Sequence, residues 1–314
     1  MNPDPPPLVG RQPEARAILH ALEQNRSVLI TGSSGVGKTA LLTTLDPLIR
    51  DMGVTVWIDH IAPWGAALTE LFTQLHDARA LGDQLDTPQR YTSIEDDRKA
   101  WNKRHTNSEL KAKAFLRAFE QWQSNHTRVT IIVDDVSGLS PTITPWLVAW
   151  TAHANLIVCT TPDVLGKNST KRFWKQLENI YLQPLNQVQS RQLITELIAK
   201  HHVVARDPDV YLERVVSLSQ GIPGEAQRLV KYHSAETIID ASSSLSLGQT
   251  FAAREERGIA LAPILLAFAG ISLAWRYIAR AQGDMNAYVL SGIVMAATVI
   301  ITTLGRGFLK AKPS

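Results

Sequence analysis

One cysteine, Cys159, in 314 residues excludes an internal disulfide and suits a reducing compartment. The first seven residues, Met1-Asn2-Pro3-Asp4-Pro5-Pro6-Pro7, lack the apolar stretch of a secretory signal; they predict a flexible polar start over 1–7. Charge of one sign is also scarce over most of the chain. Seven Lys/Arg and three Asp/Glu lie from position 251 onward, leaving 25 basic against 26 acidic residues in 1–250, a net of −1. The formal charge of +3 therefore describes the C-terminal end, not a basic surface for nucleic acid, and nucleic acid is not expected as a partner.

What is present starts with Gly32-Ser33-Ser34-Gly35-Val36-Gly37-Lys38-Thr39, followed by Ala40 at the start of a predicted helix. The spacing is G-x-x-x-x-G-K-[ST], directly after the apolar run Ser27-Val28-Leu29-Ile30-Thr31. Glycines let backbone N–H groups turn inward around a polyphosphate, where a helix N-terminus adds partial positive charge. Lys38 is then placed for the β/γ-phosphates and Thr39 for Mg²⁺. A chance Gly/Ser turn is the alternative, but strand before and helix after are what the motif requires.

Arg128-Val129-Thr130-Ile131-Ile132-Val133-Asp134-Asp135 has the form of a Walker B strand. Asp134 is expected to hold Mg²⁺ through water, and Asp135 to stand where a base polarises the attacking water. Further strands are predicted at 54–59, 154–162 and 179–185. Leu68, Leu71, Phe72 and Leu75 have the helical spacing of core residues. Residues 82–107 are of mixed charge and read as a solvated or partly helical insertion; subunit contact is the functional alternative. Thr106-Asn107-Ser108-Glu109 offers a Thr-x-x-Glu capping box before the next helix.

With both motifs in place, the chain resembles AAA+ and STAND ATPases over roughly residues 8–240. The resemblance implies that Val9, Gly10 and Arg11, which look like the "hhGR" start of those proteins, pack near the adenine. It implies a sensor 1 role for Thr161, with Thr160 next, at the end of the strand. Pro162 stands where NB-ARC-type domains have arginine, so no such arginine role is expected. Arg172, in the basic stretch 167–174, is the candidate trans-acting arginine finger, against the plainer reading of a solvated loop. Ser219 to Arg228 resembles both the G-x-P motif of STAND ATPases and the sensor 2 helix of origin-recognition-type initiators. On that likeness Pro223 touches the base region and Arg228 contacts nucleotide; a Gly-Pro helix start with an exposed arginine is the alternative. Most AAA+ enzymes carry Glu where this chain has Asp135, which leaves binding more secure than hydrolysis. Paired Asp is common in STAND proteins.

Two nearly uncharged runs, 258–275 and 287–305, each approach the length of a membrane-crossing helix and predict a hairpin over 258–305. Arg254, Arg257, Arg306, Lys310 and Lys312 flank it on the terminal side, against Arg276 and Arg280 in the turn, so both termini are expected in the cytoplasm at the cell membrane. A buried helical pair of a soluble domain is the alternative.

The expected organisation is an α/β P-loop core with a parallel sheet over 8–184 and a small helical lid over 185–240. A Ser-rich linker over 241–257, the transmembrane hairpin and a basic tail over 306–314 complete it. A winged helix or repeat array is not expected after the lid. Function follows as an ATP–Mg²⁺-binding, membrane-anchored ATPase. It is expected to form a homo-oligomer and to couple nucleotide state to the hairpin or to an unidentified protein partner. The alternatives are a slowly hydrolysing signalling or defence switch and a DNA-associated regulator.

Overall fold

Successive side chains of a strand point to opposite faces, and a strand apolar at every position must be covered on both. The inner strands here are of that kind. The computed structural model describes residues 9–234 apart from 79–80, 82–84, 86–93, 125 and 167, and in addition 274–275, 277–278 and 281–282. Five strands, β1 Val28–Thr31, β2 Thr55–His60, β3 Thr130–Asp135, β4 Asn155–Thr160 and β5 Glu178–Tyr181, form one parallel sheet in the order β2-β3-β4-β1-β5. Leu29, Ile131, Val133, Leu156 and Val158 enter one core, while Val28, Ile30, Ile132, Ile157 and Cys159 enter the other.

Helices α1 Gln12–Glu23 and α2 Lys38–Met52 close the second core with Ile18, Leu22, Leu41, Leu42, Leu45 and Ile49. The first core is closed by α3 Trp64–Asp77, α4 Ile94–Arg104, α5 Ser108–Gln123 and α6 Thr144–Trp150. Trp101, Trp150, Phe72, Phe115, Phe119 and Phe173 are its largest buried side chains. After the four-residue α7 Lys171–Trp174 and β5 come three lid helices packed on one another: α8 Gln187–Lys200, α9 Pro208–Ser219 and α10 Pro223–His233. Asn186 and Gln189 form a capping box at the start of α8, and Asp207 caps α9 by accepting from Val210 N–H.

Two local expectations are corrected. Asn107, not Thr106, caps α5, its side chain accepting from Leu110 N–H at 2.8 Å. Asn ranks above Thr at that position because its oxygen reaches the second or third N–H readily. Within 82–107, α4 is a helix with a buried side: Trp101 is 1% exposed and stacks on Phe72, and Asp97 accepts from His76 at 2.8 Å. Leu81 and Leu85 join the same core.

The chain divides into two units, Met1–Ser244 and Leu245–Ser314. In the second, only the isolated helical residues at 274–275, 277–278 and 281–282 are described. Among the described residues no helix is long and apolar enough to cross a membrane. Except for Ala274 and Trp275, the runs 258–275 and 287–305 lie outside the described residues, as do 1–7, the linker at 241–257 and the tail at 306–314.

Candidate nucleotide-binding site

The loop between β1 and α2 needs backbone angles that a Cβ resists. Gly35 has φ +75° and Gly37, which precedes the first turn of α2, has φ +103°. This shape sets the following helix N-terminus over the loop. Lys38 Nζ donates to the carbonyls of Gly32 at 2.8 Å and Ser33 at 3.0 Å. Burial lowers the Lys38 ammonium below the ordinary lysine range, with Asp134 and Asp135 among the charges pulling the other way.

The strand end of β3 brings two carboxylates to different partners. Thr39 Oγ1 donates to both oxygens of Asp134, at 3.0 and 2.8 Å. Burial raises the Asp134 carboxyl above the usual range, partly offset by that bond. Asp135 accepts from Ser137 N–H at 2.8 Å and from Ser137 Oγ at 2.9 Å, with His60 Nδ1 at 3.3 Å. Burial alone would raise Asp135, but the two Ser137 bonds and His60 bring it below the ordinary carboxylate range.

A cavity of about 460 Å³ joins these groups beneath the lid, a size suited to a small molecule. Of the expected residues it is lined by Val9, Arg11, Ser34 to Ala40, Asp134, Asp135, Thr160, Thr161 and Pro223. Leu185, Leu193 and Leu197 make an apolar end, and Lys200 and Gln227 add polar tips. The residues fit a polyphosphate and its metal on three counts. Glycine backbone bends the cradle, Thr39 and Asp134 stand together, and the buried Thr160 hydroxyl has no partner. Among the described residues no group of three or more His, Cys, Asp or Glu could hold a metal ion.

Other expected residues stand elsewhere. Arg11 lines the cavity but its guanidinium is buried and engaged: Nη2 donates to Val36 O at 3.1 Å and Gln183 O at 2.7 Å, and Nη1 pairs with Glu14 at 3.2 Å. It braces the loop. Gly10 and Gly32 are not lining residues; a Cβ on Gly32 would come within 2.7 Å of the Leu182 carbonyl. Ser33 is not one either, and its buried hydroxyl lacks a partner. Arg172 is exposed and lines a separate hollow with Thr144, Pro145 and Ser169, away from its own chain's loop. Arg228 does not line the cavity; it is exposed and pairs with Glu225, while Gln227 takes the inward position. Helical phase explains this, because 227 is four residues after Pro223 and shares its face.

Sequence reasoning missed His60, Ser137, Lys200 and Gln227. Asp-x-Ser after a strand is a turn signal that would have found Ser137. His60 required the β2–β3 register, in which it pairs with Asp135.

Fold and site together define an α/β module in which a P-loop and a strand-end carboxylate pair meet at one end of a parallel sheet. Residues 7–156 match the family model described as an AAA ATPase domain. A Walker-type ATPase of Pyrococcus abyssi is similar in structure, with a TM-score of 0.56 at 14% identity over 94% of this chain and 92% of that one. The Orc1 protein of Aeropyrum pernix, solved in complex with DNA, has a TM-score of 0.52 at 14% identity, over 88% of this chain and 74% of its own. No curated protein matches in sequence.

Proposed function

We propose that this chain binds ATP with Mg²⁺ between its P-loop and its lid, hydrolyses it, and is tethered to the cell membrane by the apolar runs in 258–305. The observation that carries the nucleotide reading is the convergence of Lys38, Thr39, Asp134, Asp135 and Thr160 on one cavity. Lys38 and the loop amides would neutralise and orient the phosphates, and Thr39 with Asp134 would hold Mg²⁺. When bound, Mg²⁺ supplies positive charge against the phosphate oxygens. Asp135 would orient the attacking water, and Thr160 or Thr161 would donate toward the terminal phosphate. Two independent motifs at one end of a sheet are the support for this assignment.

The membrane part rests on the sequence: run length, flanking Arg/Lys, and the cytoplasmic ATP pool that the module requires. Assembly into a homo-oligomer, with Arg172 serving a neighbour's site, rests on the exposure of Arg172 and on its lining a hollow other than the loop cavity. Nucleotide titration of the full chain tests the core of the reading. Lys38→Ala abolishes binding, and unchanged affinity refutes it. Carbonate washing of membranes tests the tether, which fails if the protein is released.

One observation favours a second reading, a slow STAND-like switch. Asp135 is shorter than the Glu common at this place and is already engaged by Ser137 and His60, so it is a weak base. Brisk steady turnover, lost in Asp135→Asn, supports the first reading. Slow turnover with nucleotide-dependent assembly supports the switch.

A further inference from the structure

The lid touches the phosphate loop directly, backbone to backbone. Gly224 N–H, in the first turn of α10, donates to the Gly35 carbonyl at 2.9 Å. One residue further along the loop, the Val36 carbonyl is held by Arg11 at 3.1 Å, and the same nitrogen holds the Gln183 carbonyl at 2.7 Å, just before the lid begins. The start of α10 is tied to that same exit by Leu185 N–H donating to Gly221 O at 2.7 Å. Two consecutive loop carbonyls are thus gripped from outside, one by the lid and one by the brace at the lid's root.

A trans peptide is planar, with its C=O and N–H pointing opposite ways. Fixing the Gly35 carbonyl on Gly224 turns Val36 N–H to the opposite side, where it donates to Ser33 O at 3.3 Å and closes the turn of the loop. Fixing the Val36 carbonyl on Arg11 turns Gly37 N–H away from Arg11. Backbone N–H groups such as that of Gly37 are what an anion meets in a loop of this kind. The contact leaves no space for side chains. A Cβ on Gly224 would lie 3.0 Å from Gly35 Cα and 3.1 Å from Gly35 O, both backbone atoms that have no rotamer to escape into.

We propose that Gly224, together with Arg11, is a positioning residue that locks the phosphate loop in its anion-receiving shape, so that docking of α10 and grip on phosphate are coupled. The proposal rests on the nucleotide reading above and adds its control by the lid. Gly224→Ala is the discriminating variant. Alanine suits a helix better than glycine, so a purely local effect leaves α10 as stable or more so. The latch instead predicts that affinity for pyrophosphate and for ATP–Mg²⁺ falls by about tenfold, the worth of roughly one hydrogen bond. Adenosine affinity falls by much less, because adenosine does not call on the loop amides.

Linkage makes the coupling reciprocal, which gives a second measurement on the unmodified full chain. Pyrophosphate slows hydrogen exchange at the Gly224 amide as well as at Gly37; exchange at Gly224 that ignores pyrophosphate overturns the latch, even if Gly224→Ala proves unable to fold. A chain that binds neither pyrophosphate nor ATP sinks the nucleotide reading itself. Equal phosphate affinity in the unmodified chain and in Gly224→Ala sinks only the latch.

Discussion

Replacing Arg11 with Met separates two accounts of one side chain. If Arg11 lies against the adenine, its loss weakens nucleotide binding and leaves the fold alone. The structure instead makes it an internal brace, 8% exposed at the side chain, donating to Val36 O and Gln183 O and pairing with Glu14. Methionine fills much of the same volume, so a cavity contributes little. Two backbone carbonyls lose a charged donor, at about 1.5 kcal/mol each by the low end for such bonds. Glu14, 20% exposed at its side chain, is left without its cation and adds roughly 1 kcal/mol after allowance for solvent. The expected destabilisation is therefore about 3–5 kcal/mol, within the range for broken buried networks. Urea unfolding of the full chain, followed by tryptophan fluorescence, measures it. Adding Glu14→Gln to Arg11→Met should recover roughly the 1 kcal/mol assigned to the stranded carboxylate. A loss below about 1 kcal/mol accompanied by a large fall in ATP affinity would refute the brace and restore the base contact.

Trp101→Ala is expected to cost about 3–5 kcal/mol in the same unfolding assay, as for other large buried aromatics. Trp101→Phe should cost far less, because it keeps an aromatic face toward Phe72 and removes an indole N–H that has no partner. A loss near zero for the alanine variant would show that α4 is solvated after all. Ser137→Ala removes one of the hydroxyl and amide donors that favour ionised Asp135, so the carboxyl rises toward its ordinary value. In the proposed hydrolysis ionised Asp135 orients the water, so the acid limb moves to higher pH; an unmoved limb in the pH–rate profile contradicts that role.

The strands and both phosphate motifs were legible because they depend on local pattern: apolar runs of strand length, fixed glycine spacing and carboxylates at a strand end. The buried side of α4 was not, because eight of the eleven residues from Ile94 to Arg104 are polar or charged and its one large anchor, Trp101, gives no period by itself. The exchange of Arg228 for Gln227 was available in principle from helical phase, but resemblance drew attention to the charged neighbour. The bracing bonds of Arg11 were out of reach for a different reason. A buried arginine bonded to carbonyls at 36 and 183 depends on a contact between distant parts of the chain. His60 likewise needed the pairing of two strands some seventy residues apart in sequence.

The adjacency of Asp134 and Asp135 on β3 makes their surroundings sensitive to strand phase. The first carboxylate meets the hydroxyl of α2 and the second meets the β2 histidine and the turn at Ser137. Removing one residue of β3 ahead of Val133 would bring Asp135 to the place beside Thr39 and draw Asp134 into the buried place of Val133, leaving the turn without a carboxylate. An insertion of the same size in the connection before Thr130 would leave that wiring untouched. The two carboxylates therefore occupy addresses set by a half-turn of alternation, not by their own chemistry, since both are aspartate.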